Sequence, residues 1–195
     1  FVAHKNMPNA LEVIVSDPEL KIDALILPGH VSTIIGTKPY EFLAEKYGIP
    51  GVITGFEPVD VLQGIAMIMR QLHEGRAEIE IAYSRGVMRE GNPVALAAID
   101  EVFDTVDATW RGLGVIPGSG YAIREEFEDF DAVKRFHPEV EPTQNPKGCR
   151  CGDVLRGIMA PDECPLFRKV CTPENPVGPC MVSSEGSCAA YYRYY

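Results

Sequence analysis

Gly51-Val52-Ile53-Thr54-Gly55-Phe56-Glu57-Pro58-Val59-Asp60-Val61-Leu62 is the stretch whose reading settles the architecture. Gly51 to Thr54 is a short apolar run bounded by glycine, which reads as a buried strand. Pro58 then stands where proline is best tolerated, in the first turn of a helix. That helix is expected to reach about His73, with Val61, Leu62, Ile65, Ile68, Met69 and Leu72 as its apolar face. A strand that feeds a long helix is one step of a parallel sheet, because parallel neighbours need a crossover of a dozen or more residues.

The same alternation extends to both sides. Upstream, a helix is expected from about Pro8 to Ser16, capped by Asn6 and stopped by Asp17-Pro18. It precedes a buried strand at Ala24 to Leu27 and a helix from Pro39 to Tyr47 ended by Gly48. Downstream, Ala77 to Arg85 alternates as a strand, Asn92-Pro93 opens a helix to about Asp104, and Thr109 to Ile116 reads as another strand. The fold class expected is therefore α/β, a parallel sheet flanked by helices, over residues 1–120, followed by a connector and a small Cys-rich domain over 121–195. In the connector, acidic residues 125–129 on a short helix precede Pro138, Pro142 and Pro146; such an acidic run is ordinarily a solvated face.

The formal net charge of −10 divides as −7 over residues 1–120 and −3 over the remainder. An acidic surface repels phosphate backbones, which argues against nucleic-acid binding. The longest apolar candidate for a membrane span, Val59 to Met69, is interrupted by Asp60, Gln63 and Gly64, so no membrane partner is expected. A soluble, cytoplasmic protein is the expectation. No G-x-G-x-x-G turn supports a dinucleotide site.

Polar residues interrupt this pattern at informative places. His30 follows the first strand in Pro28-Gly29-His30, and Glu57 follows the second in Gly55-Phe56-Glu57. Ligands of open parallel sheets bind beyond the carboxyl ends of the strands, and glycine-rich turns let backbone approach a partner closely. The plainer alternatives are that His30 caps a helix or satisfies a carbonyl, and that Glu57 complements the next helix's dipole. Asp60, one step further, is a first-turn carboxylate of the same kind.

The last 47 residues hold all six cysteines: Cys149, Cys151, Cys164, Cys171, Cys180 and Cys188. Cys149 and Cys151 are at i and i+2, which places their side chains on one face of an extended segment. Pro165, Pro173, Pro176 and Pro179 stiffen the loops between the later ones. Three readings compete. A disulfide framework is disfavoured, since the residues before the cluster look able to form a core without staples. Structural zinc is open but lacks paired C-x2-4-C knuckles, the gaps being 1, 12, 6, 8 and 7 residues. The third is an iron–sulfur cluster on four thiolates, with two cysteines left over.

The residues around these cysteines carry a resemblance. Gly148 to Leu155 (GCRCGDVL), Cys164-Pro165-Leu166-Phe167, Cys171-Thr172-Pro173 and Gly178 to Tyr191 (GPCMVSSEGSCAAY) are similar to the C-terminal part of the HypD family of [NiFe]-hydrogenase maturation proteins. The similarity continues upstream through Leu27 to Gly36 (LPGHVSTIIG) and Gly55 to Leu62 (GFEPVDVL). The family's N-terminal Gly-Pro-Gly-Cys-Pro-Val-Cys type motif has no counterpart here. The chain begins at Phe1, as if inside a strand, and resembles the second and third domains of a longer protein.

What the resemblance implies is specific. The family's C-terminal domain carries a [4Fe-4S] cluster beside a thiol pair, as in ferredoxin:thioredoxin reductase, where the first cysteine of a C-x-C is a ligand and the second is redox-active. Carried over, Cys149, Cys164, Cys171 and Cys188 are ligands, while Cys151 and Cys180 form a reversible disulfide, with Cys180 exchangeable for Cys171 or Cys188. The implied function is a scaffold on which a transient Fe(CN)2CO iron is assembled for the hydrogenase large subunit. It is shared with a HypC-type chaperone and a HypE-type cyanide donor. His30, Glu57 and Asp60 face that nascent iron centre. Two rivals stand beside it: an iron–sulfur disulfide reductase acting on a protein substrate, and a zinc-stabilised interaction module.

Overall fold

The computed structural model describes residues 2–139 and 146–195. Phe1, expected within a strand, and Pro142 of the connector lie outside the described residues. In chain order the elements are α1 (Met7–Val15), β1 (Leu25–Pro28), α2 (Gly29–Ile35), α3 (Glu41–Tyr47), β2 (Gly51–Thr54), α4 (Pro58–Glu74), β3 (Ile79–Ile81) and α5 (Pro93–Val102). They continue with β4 (Phe103–Trp110), β5 (Gly114–Ile123), α6 (Ala132–Phe136), α7 (Cys151–Leu155), α8 (Pro179–Val182) and α9 (Ser187–Tyr194). The chain is thus mixed α/β with a parallel sheet. Among the described residues no helix is long and apolar enough to cross a membrane.

The described residues fall into two compact units. One comprises residues 22–104 and 122–127; the other comprises 1–21, 105–121 and 128–195. The first contains the sheet, in the order β1-β2-β3, both pairings parallel. Leu27 pairs with Ile53 and Pro28 with Thr54, so the ends of β1 and β2 are level and the loops that follow them start side by side. Leu27, Leu43, Val52 and Ile53 form the buried centre.

α4 begins at Pro58 as expected and stops at Gly75, whose φ of 66° is the left-handed cap that glycine adopts without strain. Its seat on the sheet differs from the expected apolar stripe. Gly64 is pressed onto β2: a Cβ there would lie 2.2 Å from Thr54 Cγ2. Buried Gln71 accepts the Glu78 N–H at 2.8 Å and donates to the Glu80 carboxylate at 3.1 Å. Ile68 and these two residues form the contact, and Leu62 and Met69 are displaced to the flanks, 66% and 60% exposed. A helix that approaches on glycine comes too close for large side chains along its contact line.

Three further differences have local causes. α2 was not expected, because Gly29 and the β-branched Val31, Thr33, Ile34 and Ile35 are weak helix formers. It holds because its C-terminal turn meets the loop before α5, where Asn92 N–H donates to the Ile34 carbonyl at 2.9 Å. β3 is shorter than expected, since the N–H groups of Ala82 and Tyr83 both turn onto the Ile53 carbonyl, at 2.9 and 3.1 Å, and end the ladder. The strand expected at Thr109 to Ile116 is instead a hairpin. Arg111–Leu113 connect β4 to β5, and Gly112 and Gly114 have φ of 87° and 84°. So short a connection joins antiparallel strands only.

The hairpin residues 105–121 belong to the second unit together with the N-terminal segment. Lys5 bridges Gly120 in antiparallel pairing, and Asn6 N–H donates to the Ser119 carbonyl at 2.7 Å. Trp110 Nε1 donates to Ser119 Oγ at 2.8 Å, which fixes the base of the hairpin. The cysteine-rich tail packs within the same unit.

Candidate functional site

The tail has little regular structure, and its cysteines stand at the joints. Cys151 opens α7, Cys164 follows a 3-10 turn at Pro161–Glu163, Cys180 is the second residue of α8, and Cys188 lies in the first turn of α9. Prolines begin two of these segments, Pro161 ahead of Cys164 and Pro179 ahead of Cys180, each fixing φ shortly before a cysteine must be placed. The result is one apolar cluster. Cys151, Cys171, Cys180 and Cys188 are buried with Phe167, Met181 and Ala189, and Cys149 and Cys164 pack against them half-buried. All six are free thiols.

Cys149, Cys151, Cys164, Cys171 and Cys188 ring one cavity, whose remaining wall is mostly Val154, Leu166, Phe167 and Met181. Two backbone amides point at sulfur: Val177 N–H donates to Cys171 Sγ and Cys180 N–H to Cys151 Sγ, each at 3.4 Å. Gly178 lies against the pair that opens the tail. A Cβ there would sit 2.5 Å from Cys149 Sγ and 2.9 Å from Cys151 Sγ. Its φ of −96° is open to any residue, so glycine is required by the two sulfurs and not by backbone conformation.

Cys151, Cys180 and Cys188 hydrogen-bond to one another. For Cys151 the bond from Cys180 favours the thiolate, but its bonds to Cys188 and Cys149 together with burial outweigh that and push it up to about 12. Cys180 reaches about 12 chiefly through its bond to Cys151. Cys188 is eased by Cys151, yet the bond to Cys180, burial and the neighbouring sulfurs raise it to about 12 as well. Thiols so disposed stay protonated near neutral pH and yield thiolate only when an electrophilic metal takes the proton's place.

The donor set bears on what it can hold. Among the described residues no three His, Cys, Asp or Glu side chains converge on a single point as one metal ion demands. A polynuclear iron–sulfur cluster asks for a different arrangement, thiolates ringed about a space with each on its own iron, in apolar surroundings. Five sulfurs around an apolar cavity of about 10 Å³, with backbone N–H groups aimed at two of the tail's thiols, supply the donor type and wall that such a cluster asks for, and the sulfurs have to move apart to admit one.

The ring is braced from distant sequence. Arg156, just past α7, pairs with Asp17 and with Asp153, the latter at 2.6 Å, and its carbonyl accepts the Lys21 N–H at 3.0 Å. The hairpin turn abuts the same helix: a Cβ on Gly152 would stand 3.0 Å from the Gly112 carbonyl, and one on Gly112 3.7 Å from Cys151 Cβ.

In the sheet unit, the residues after β1 and β2 meet those after β3. His30 lies in the first turn of α2 and not in a free turn, exposed, its ring 5.1 Å from that of Phe56. Glu57 is the N-cap residue of α4, but its side chain makes no cap bond and is 74% exposed. Asp60 is far more enclosed, at 15%, because Gly55 admits it: a Cβ on Gly55 would fall 2.1 Å from its Oδ2. Arg85 Nη2 reaches Asp60 at 3.2 Å and Glu57 at 3.6 Å. Its guanidinium lies 5.0 Å from the centre of the Tyr83 ring, which itself borders Gly29, Gly55 and Gly86.

Sequence reasoning missed Tyr83, Arg85, Gly112 and Gly178. The first two fell inside the strand expected to run to Arg85, and only the early end of β3 at Ile81 places them beyond it, as His30 lies beyond β1 and Glu57 beyond β2. The two glycines had none, because their role is contact with sulfur-bearing segments far away in sequence.

The family model described as HypD, hydrogenase formation hypA family, matches residues 1–195. The chain is 48% identical to the hydrogenase maturation factor HypD of Cupriavidus necator, over 98% of this chain and 52% of that protein. It is 47% identical to the hydrogenase expression/formation protein HupD of Azotobacter chroococcum, over 100% of this chain and 53% of the relative. Hydrogenase maturation factor HypD of Azotobacter vinelandii is 46% identical with the same coverage. The chain therefore spans about half the length of the curated relatives it matches.

Proposed function

This chain belongs to the HypD family of hydrogenase maturation factors, and on that premise we propose that it is the redox-bearing part of an assembly scaffold for the Fe(CN)2CO iron of [NiFe]-hydrogenase. Cys149, Cys164, Cys171 and Cys188 hold a [4Fe-4S] cluster in this reading, and Cys151 and Cys180 pass between dithiol and disulfide. A bound cluster supplies electrons singly. The chain's own residues do the rest. Leu166, Phe167 and Met181 keep water from the sulfurs, Gly178 lets the Cys149 and Cys151 side chains sit together, and Cys180 N–H orients Cys151. Reducing the pair takes two electrons and two protons, and the high proton affinity of both thiols favours the reduced, protonated form.

The iron being built is substrate, received at the carboxyl ends of the sheet, where His30 offers an imidazole and Asp60 and Glu57 accept protons or hydrogen bonds. Its partners are a HypC-type chaperone and a HypE-type cyanide donor, working in the cytoplasm, where six free thiols are at home. The observation that carries the reading is the ring of five cysteine side chains around one apolar cavity. Anaerobic analysis of iron and acid-labile sulfide tests it: about four of each per chain is expected for a cubane. Stoichiometric zinc, or iron-free protein that resists reconstitution, refutes it.

A further inference from the structure

An otherwise acidic chain turns basic beside its sulfurs. Residues 1–145 carry a net charge of −11, whereas 146–195 carry +1, from six Lys and Arg against five Asp and Glu. Arg150 and Arg156 are neutralised by Asp153 and Asp17. Arg168, Lys169 and Arg193 are exposed, and among the described residues no carboxylate pairs with any of them.

These three gather at one place. Arg168 Nη2 donates to the Tyr192 carbonyl at 3.2 Å, which joins it to the residue before Arg193, and Lys169 follows it directly. Its guanidinium lies 5.2 Å from the centre of the Tyr192 ring and 5.5 Å from that of Phe167, so the position of the charge is fixed. Arg168 also holds φ at 57°, a left-handed conformation that glycine adopts without strain and arginine does not. The turn would form more easily without this side chain, and a strained residue of that kind points to a use for the side chain it carries.

The ring beneath the charge is a wall of the thiol cavity. Phe167 lines that cavity, and Tyr191 and Tyr192 each meet Phe167 edge-on, with centroids 5.9 Å apart. Tyr195 stacks on Tyr191 at 4.7 Å, while Val170, Tyr194 and Tyr195 are 51%, 75% and 84% exposed. Asp162 marks the border, beside the Tyr191 hydroxyl. A single layer of aromatic side chains thus separates a basic, partly apolar surface from the sulfurs.

We infer that Arg168, Lys169 and Arg193, with Tyr194 and Tyr195, form the docking face for an acidic one-electron carrier protein that reduces the sulfur site. The acidic remainder of the chain repels such a partner, and the local cations orient it. Small, charge-steered contacts are the usual form of redox encounters. Two reduced carriers in turn each release one electron; with two protons from solvent these break the Cys151–Cys180 bond into two thiols, and both carriers leave oxidised. This inference rests on the proposed redox reading of the tail.

The probe is an acidic [2Fe-2S] ferredoxin, titrated by calorimetry into the full 195-residue chain, with and without reconstituted iron and sulfide. Saturable binding is expected in both, weakening as salt rises from about 0.01 M to about 0.1 M and the screening length falls from about 30 to about 10 Å. Arg168→Gln, Lys169→Gln and Arg193→Gln each weaken it about two- to fivefold, and the triple variant about tenfold or more. Arg168→Lys, which keeps the charge, loses less, and Arg168→Gly, which suits the turn, weakens binding while the chain stays folded. Lys134→Gln, which removes a charge paired with Glu128, leaves binding unchanged. Absence of saturable binding overturns the proposal, as does equal loss in Lys134→Gln and Arg168→Gln or full binding by the triple variant. A chain that loads iron and sulfide yet binds no ferredoxin loses this face alone, and the cluster reading stands.

Discussion

The backbone N–H of Cys180 points at the Sγ of Cys151 across 3.4 Å, and Cys180 is the one tail cysteine that does not line the thiol-ringed cavity. The two are thus adjacent while only one faces the space between the other sulfurs. Mild oxidation of cluster-free chain should lower the free-thiol count by two, and peptide mapping should link Cys151 to Cys180. Cys151→Ser should abolish the change. Because Cys188 also bonds to both thiols, a Cys151–Cys188 link would reassign the pair and move Cys180 into the ligand set.

Gly178→Ala isolates the contact with sulfur, since the backbone there accepts alanine. The added methyl has to displace Cys149 or Cys151, from which it would be 2.5 and 2.9 Å away. Overpacking of this kind costs about 1–3 kcal/mol. The chain should fold with a modestly lower melting temperature and bind markedly less iron and sulfide after anaerobic reconstitution. Full iron loading of the variant would remove Gly178 from the account.

Acid should loosen the brace on α7. Asp17 lies below its ordinary value of 3.8, first through the Glu19 N–H and then through Arg156; Asp153 lies below it through Arg150 and then Arg156. Groups held low resist protonation in the folded chain. The stability they lend is present above about pH 3.8 and drains away as pH falls through their folded values. In Arg156→Gln both carboxyls return part of the way upward, so the acid-unfolding midpoint by circular dichroism should move to higher pH. A coincident midpoint would show that the brace carries no folding free energy.

His30→Ala separates function from folding. The side chain is exposed and its ring contact is Phe56, so stability should change by no more than about 0.5 kcal/mol. Placed in a full-length relative, the substitution should abolish hydrogenase maturation while leaving the visible absorbance of the cluster intact. Wild-type maturation would dissociate the sheet's carboxyl end from the substrate.

How far the sequence disclosed this arrangement depended on whether the deciding contact was local. The β2–α4 step was legible because Pro58 and Gly75 punctuate it and the strand is buried throughout. The apolar face assigned to α4 was only partly right, since Gly64 rather than a leucine makes the closest approach, and glycine leaves no mark in a hydrophobic pattern. Thr109 to Ile116 read as one strand because its turn, at Gly112, interrupts a run that otherwise favours extended chain. The cysteines were evident from composition, and the residues that aim them were not: Gly178 acts on Cys149 and Cys151 far back along the chain, and the Arg156–Asp17 pair spans 139 positions. That Asp60 is enclosed while Glu57 is exposed could not be read from spacing, which reports position along a helix and not the space a neighbouring glycine opens.

The thiols rest on a floor that the tail does not itself contain. Residues 1–21 and the 105–121 hairpin belong to their unit, joined through Asp17, Lys21 and Gly112. A peptide excised after residue 127 would keep every sulfur and lose the scaffolding beneath them. The earliest stretch of this chain is therefore as much a part of the sulfur chemistry as the stretch that bears the atoms.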